Sequence, residues 1–225
     1  LITGTEIDGY VSFGNQKVGE LQAQYIVDKV DKGAKIAMIN GEQNCDSCIA
    51  FKVGSHAILD PLVKDGTLKI VFEADTPGWL AATAQTETEQ MLTAQGDDID
   101  AVLVANDGMS QGVVAALKGR GLNGKVIVTG QDATITGLQD IVLGNQTMTV
   151  YKDMREEAKA AARMAIAFLT NTQDSFDFTD SVNNGAGSVS SILLDPSVVD
   201  RSNIAELIAS GFVSRDDVCT GDVAS

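Results

Sequence analysis

The sequence predicts an α/β protein built on a doubly wound parallel sheet, and two observations predict it. Short runs of Val, Ile and Ala recur without the alternation of a half-exposed strand, as strands covered on both faces do. Amphipathic stretches separate these runs through short loops, the rhythm of right-handed βαβ units.

The elements follow in order. "LITGTEIDGYVSFGNQKVGE" (1–20) reads as an irregular approach to a helix capped at Asn15 and running over 15–32. Strand "KIAMIN" (35–40) precedes a helix over 47–64. Strand "LKIVFEA" (68–74) precedes one over 79–95, and "IDAVLVA" (99–105) one over 109–121. Strand "KVIVTG" (125–130) leads to a helix over 134–143. "QTMTVYK" (146–152) leads to an alanine-rich helix over 153–170. The pattern then changes. "NTQDSFDFTDSVNNGAGSVSS" (171–191) is polar, has no helical period and predicts a hairpin or turn-rich segment. The apolar "SILLD" follows, then a last helix over 202–210 that stops at Gly211.

The totals bound the function. With 225 residues the chain can bury a sizeable core as one large domain or two lobes. Its 31 acids and 16 bases give a net charge of −15, which argues against nucleic acid and anionic membranes as partners. No apolar run approaches the roughly 20 residues of a membrane span. The first residue is Leu1 and no apolar leader precedes the fold, so a processed chain or a fragment is expected. Three cysteines, Cys45, Cys48 and Cys219, are too few for a disulfide scaffold.

Several motifs invite chemistry. "GRGLNGK" (119–125) matches G-x-G-x-x-G and part of a P-loop. Both of those need a strand before and a helix after, and here the order is reversed, so a plain turn is expected. "CDSC" (45–48) sits between a strand and a helix but lacks the inner Gly-Pro and preceding Trp of a redox motif. A local disulfide or two loop thiols is the simpler expectation. His56 is the only histidine, so no metal site or nucleophile triad gathers around it, and it is expected as a surface or half-buried helix residue.

What remains is a set of polar groups at strand ends. Asp46 and Ser47 follow the first of these strands, and Trp79 the second. Asn106 and Asp107 follow the third, Gln131 and Asp132 the fourth, and Lys152 the fifth. In an open parallel sheet these ends line the ligand crevice. Carboxylates accept hydroxyl protons, amides donate and accept, lysine donates, and an indole stacks on the C–H face of a sugar. That set suits a neutral polyol. Any one of them alone is equally a helix cap.

These residues lie within text that resembles the periplasmic sugar-binding proteins of ABC importers, and within them the D-xylose-binding group. The matching stretches are "YVSFGNQKVGELQAQ" (10–24), "IDAVLVANDG" (99–108), "GLNGKVIVTGQDA" (121–133), "TMTVYK" (147–152), and "NNG" (183–185) before "ILLDP" (192–196). The resemblance implies a type I periplasmic-binding-protein fold, without cofactor, metal or catalytic residues. It implies ligand contacts from Asn106, Asp132 and Lys152 and stacking by Trp79. A family asparagine falls on Ser47, with Asp46 beside it, a departure that leaves the sugar open.

It further implies two lobes. Residues 1–152 plus 193–225 correspond to the C-terminal-type lobe. Residues 153–192 are a remnant of the N-terminal-type lobe and the hinge crossings, with roughly a hundred residues of that lobe absent by comparison with the family. The helix at 153–170 then exposes an apolar face of Met154, Ala158, Ala161, Met164, Ala165 and Phe168, to be covered by the missing lobe or a second copy. The implied function is extracytoplasmic capture of xylose or a related aldose for an ABC importer or a sensor. A periplasmic or extracellular location follows, with or without a membrane anchor. The alternatives are the effector-binding core of a LacI-type regulator, or a thiol redox protein using Cys45 and Cys48.

Overall fold

The computed structural model describes residues 2–224. In chain order the elements are β1 (Tyr10–Phe13), α1 (Asn15–Val27), β2 (Lys35–Asn40), α2 (Asp46–Lys64), β3 (Lys69–Asp75) and α3 (Ala81–Gln95). Next come β4 (Ala101–Val104), α4 (Asp107–Gly119), β5 (Ile127–Val128), α5 (Ile135–Leu143), β6 (Met148–Tyr151) and α6 (Met154–Leu169). The chain closes with β7 (Asp180–Asn183), β8 (Ser188–Leu194), β9 (Ser197–Asp200), α7 (Ile204–Ala209) and α8 (Arg215–Val218). Two compact units result. The larger comprises Gln16–Tyr151 and Ser197–Ser225, the smaller Leu1–Asn15 and Lys152–Pro196.

In the larger unit four strands stand side by side in the order β3-β2-β4-β5, every pairing parallel. A parallel bridge between Gln131 and Val150 carries the array on to β6, which pairs antiparallel with β9. The continuous apolar run of β2 has a direct cause. Ile36 and Met38 pack with Ala23, Ile26 and Leu59 of α1 and α2. Ala37 and Ile39 face the other way, onto Met91, Leu92, Met109 and Leu117 of α3 and α4. With helices on both faces, no position of the strand's interior meets water. Each large apolar side chain so buried contributes about 1.5–3 kcal/mol.

The "GRGLNGK" segment is the expected helix-to-strand turn. Gly121 and Gly124 adopt φ of +67° and +72°, and Lys125 Nζ turns back onto the Gly121 carbonyl at 2.9 Å.

In the smaller unit β8 pairs parallel with β1 and antiparallel with β7, so the hairpin expected after Thr170 is present. Asn184, in its turn, is buried and donates through Nδ2 to the carbonyls of Ile2 and Thr5 at 3.1 and 2.8 Å, tying down the start of the chain. Ala160 and Met164 of α6 pack on Ile192.

Three features differ from the sequence reading. Residues 10–13 form a strand instead of an irregular approach, because their partner, β8, lies far along the chain. That pairing groups residues 1–15 with the smaller unit, where the sequence reading joined them to the larger part; residues 193–196 also fall there. On α6, Met164 is buried and Phe168 half-buried, since Met164 lies against Gly9, where an added Cβ would come within 2.5 Å of its sulfur. The exposed large apolar residues of that helix are Met154, Ile166 and Leu169, at 64%, 59% and 82% exposure.

Candidate functional site

Parallel strands deliver their following loops to one edge of the sheet, and the order β3-β2-β4-β5 sets four such loops side by side. The loop after β3 carries Trp79, half-buried with φ of +57°. Its indole lies on Gly41 at the end of β2. An added Cβ there would sit 2.3 Å from Trp79 Cζ2, so only glycine admits the ring.

Asp46 begins α2 and is exposed, with half-buried Ser47 next to it. Cys45 caps that helix, accepting the Cys48 N–H on Sγ at 3.1 Å, and Cys45 and Cys48 form a disulfide around the two residues.

Asn106 caps α4: its Oδ1 accepts the Met109 N–H at 2.9 Å. The cap uses only one end of the amide. The Nδ2 donors of half-buried Asn106 have no hydrogen-bond partner among the described residues.

Asp132, on the loop after β5, is exposed. It has φ of +96° and is followed by Ala133 at +48°. Two successive non-glycine residues in this region carry about 1–3 kcal/mol of strain each, and such strain persists where surrounding contacts over-determine the backbone. The Asp132 amide donates to Val150 O at 2.9 Å and the Ala133 amide to Thr149 Oγ1 at 3.2 Å. Lys152 follows β6 directly and begins the second segment of the smaller unit.

The other strand-end groups are turned inward. Gln131 is buried and donates through Nε2 to the Ala105 carbonyl at 3.2 Å. Asp107 is fully buried. Its Oδ1 accepts from Gln146 Nε2 at 2.7 Å, and its Oδ2 from Thr134 N and Thr134 Oγ1 at 2.8 and 3.2 Å. Burial outweighs these donors, and the nearby Asp132 charge adds to it, so the carboxyl is pushed up to about 6. A carboxyl raised above its unfolded value adds stability that is fully present below the ordinary carboxylate range and is lost as pH rises through about 6. The stability advantage of wild type over Asp107→Asn is therefore expected to shrink by about 3 kcal/mol between pH 3.5 and pH 7.5, measured by urea unfolding. A pH-independent advantage would show that Asp107 does not titrate in this window.

His56 lies on α2 as expected, between Asp60 at 2.8 Å and Glu73 at 3.2 Å. Burial pulls its imidazole down, but the two carboxylates outweigh it and the net direction is up. Lys52, Asp75 and exposed Ile49 and Val53 join it along a surface groove of about 760 Å³. No group of three His, Cys, Asp or Glu side chains among the described residues is arranged to hold a metal ion.

The doubly wound sheet thus carries an indole, an unused amide donor and an exposed carboxylate on the loops that follow β3, β4 and β5. The chain belongs to the periplasmic binding protein domain family, matching it over residues 2–173. It is 39% identical over 219 residues to the D-xylose-binding periplasmic protein of Haemophilus influenzae, covering 97% of this chain and 65% of that protein. To the multiple sugar-binding periplasmic receptor ChvE of Rhizobium radiobacter it is 34% identical, covering 94% of this chain and 64% of the receptor. Among solved structures it superposes with a TM-score of 0.83 on an ABC transporter solute-binding protein from Clostridium phytofermentans with bound β-D-glucose. That match has 29% identity and covers 97% of this chain and 72% of the other. The chain thus spans about 65% of the length of its D-xylose-binding relative.

Proposed function

We propose that this chain is the greater part of an extracytoplasmic solute-binding protein that captures a monosaccharide, xylose or a related aldose. It would present the sugar to the membrane subunits of an ABC importer or to a sensor. The observation that carries the reading is that Trp79, the open Nδ2 of Asn106 and exposed Asp132 lie on loops delivered to one edge of the sheet, after β3, β4 and β5. Its support is the 39% identity to a D-xylose-binding protein. Asp132 accepts two sugar hydroxyls, Asn106 donates to a ring or hydroxyl oxygen, and Trp79 stacks on the apolar face of the ring. Asp46 and Ser47 contact the sugar from the loop after β2.

In this reading the larger unit is the C-terminal-type lobe and the smaller unit holds part of its opposite. The exposed Met154, Ile166 and Leu169 are covered by further chain of that opposite lobe. The Cys45–Cys48 disulfide supports an oxidising, extracytoplasmic location.

Trp79 is the single tryptophan, so its fluorescence reports the site directly. Titration with xylose, arabinose, ribose and glucose, in this chain and in any longer form of the protein, is expected to give a saturable change with at least one of them. The longer form is expected to bind more tightly, because a second lobe closes the cleft. Absence of any response in both forms would reject the reading.

A further inference from the structure

The strained turn at Asp132 and Ala133 needs something to hold it, and buried Asp107 does so from both sides. Its backbone amide donates to Gln131 O at 3.0 Å, just before the turn. Its carboxylate receives the Thr134 amide at 2.8 Å, just after it. The other carboxylate oxygen is fixed by Gln146 Nε2 at 2.7 Å, and Gln146 Oε1 is in turn bonded to Ser110 Oγ. The carboxyl fits because two neighbours are glycines: an added Cβ at Gly130 or Gly137 would come within 2.1 or 2.3 Å of its oxygens. Asp107 also follows Asn106 directly, so one residue links two of the loops proposed to grip the sugar.

We propose that Asp107 is a positioning residue of the sugar site, whose side chain locks the Asp132–Ala133 turn so that Asp132 and Asn106 meet one ligand in a fixed geometry. It does not touch the ligand. This inference rests on the sugar-binding reading above, but the lock can be tested without sugar.

The test uses hydrogen exchange at pH 7.5 on the wild-type chain and on Asp107→Asn, with Asp107→Ser as the substitute should the first fail to fold. Protection of the Asp132 and Ala133 amides is expected to fall at least tenfold more than that of Met38 and Val102 in the central strands. A thermal cycle with Ala133→Gly adds a readout that a general loss of stability does not move. Glycine relieves strain only while the turn is held, so its effect on Tm is expected to be about 3 °C more favourable in wild type than beside Asp107→Asn. In the form that binds sugar, Asp107→Asn is expected to weaken affinity at least tenfold.

Equal loss of protection at the turn and in the central strands, or an additive thermal cycle, would overturn the proposal. So would unchanged sugar affinity alongside a loosened turn. A wild type that binds no sugar would reject the functional reading alone, and the exchange data would still decide whether Asp107 locks the turn.

Discussion

Gly54→Ala is expected to destabilise the larger unit by about 3 kcal/mol, the upper end of what overpacking costs. Gly54 on α2 and Gly19 on α1 face each other where the two helices cross. An added Cβ at Gly54 would lie 2.0 Å from the Gln16 carbonyl oxygen, and one at Gly19 would lie 1.9 Å from that of Phe51. These obstacles are backbone, so no side-chain rotation relieves them and the helices must separate. Separation opens the layer in which Ala23, Ile26 and Leu59 cover Ile36 and Met38. It also stretches the 3.3 Å bond from Ser55 Oγ to Gly19 O. The control is Gly119→Ala at the end of α4, where nothing lies within 4 Å of the added methyl. There alanine is expected to be neutral or to stabilise by up to about 1 kcal/mol, since it restricts the unfolded chain. Urea midpoints measured side by side decide the matter. A Gly54→Ala protein within 1 kcal/mol of wild type would mean that α1 and α2 do not cross this closely.

The same contrast shows why some of the structure was legible in the sequence and some was not. Strand β2 was legible because burial on both faces is a local property: "KIAMIN" carries its two-sided environment in its own composition. Strand β1 was not, because only the pairing of Tyr10–Phe13 with Ser191–Leu194 makes it a strand. Helix α6 displayed its period, yet which face is covered depends on Gly9 meeting Met164, a contact that no helical pattern contains.

Among the candidate site residues, being at a strand end was legible and the direction of each side chain was not. Asn106 and Asp107 are adjacent acceptors in the text. Asn106 is extended, with φ of −152°, and caps the helix, whereas Asp107 is its first residue and turns into the interior. Gln131 and Asp132 part in the same way: the bridge to Val150 buries the first, and the positive φ of the second exposes it. A buried carboxylate held by an amide and a threonine needs partners 27 and 39 positions away, and no local motif announces them.

Removing the Asp132 carboxylate is expected to lower sugar affinity about 100-fold or more, because charge-assisted hydrogen bonds contribute about 1.5–3 kcal/mol each and two are proposed. The choice of substitution matters. Asp132→Ala removes the carboxylate but leaves a side chain at φ of +96°, which alanine adopts poorly, so a modest loss of stability should accompany the loss of binding. Asp132→Gly removes the carboxylate and the strain together and is expected to fold at least as well as wild type. Asp132→Asn keeps the shape and one acceptor, and should fall between, losing the charge-assisted share. If the carboxylate is the ligand group, affinity will follow the series wild type, Asn, then Gly and Ala together, whatever happens to Tm. If Asp132 matters only to the turn, Asp132→Gly will bind like wild type, because glycine keeps the turn without the acid. Binding by Asp132→Gly within threefold of wild type would therefore remove Asp132 from the site and leave its strained backbone without a functional reason.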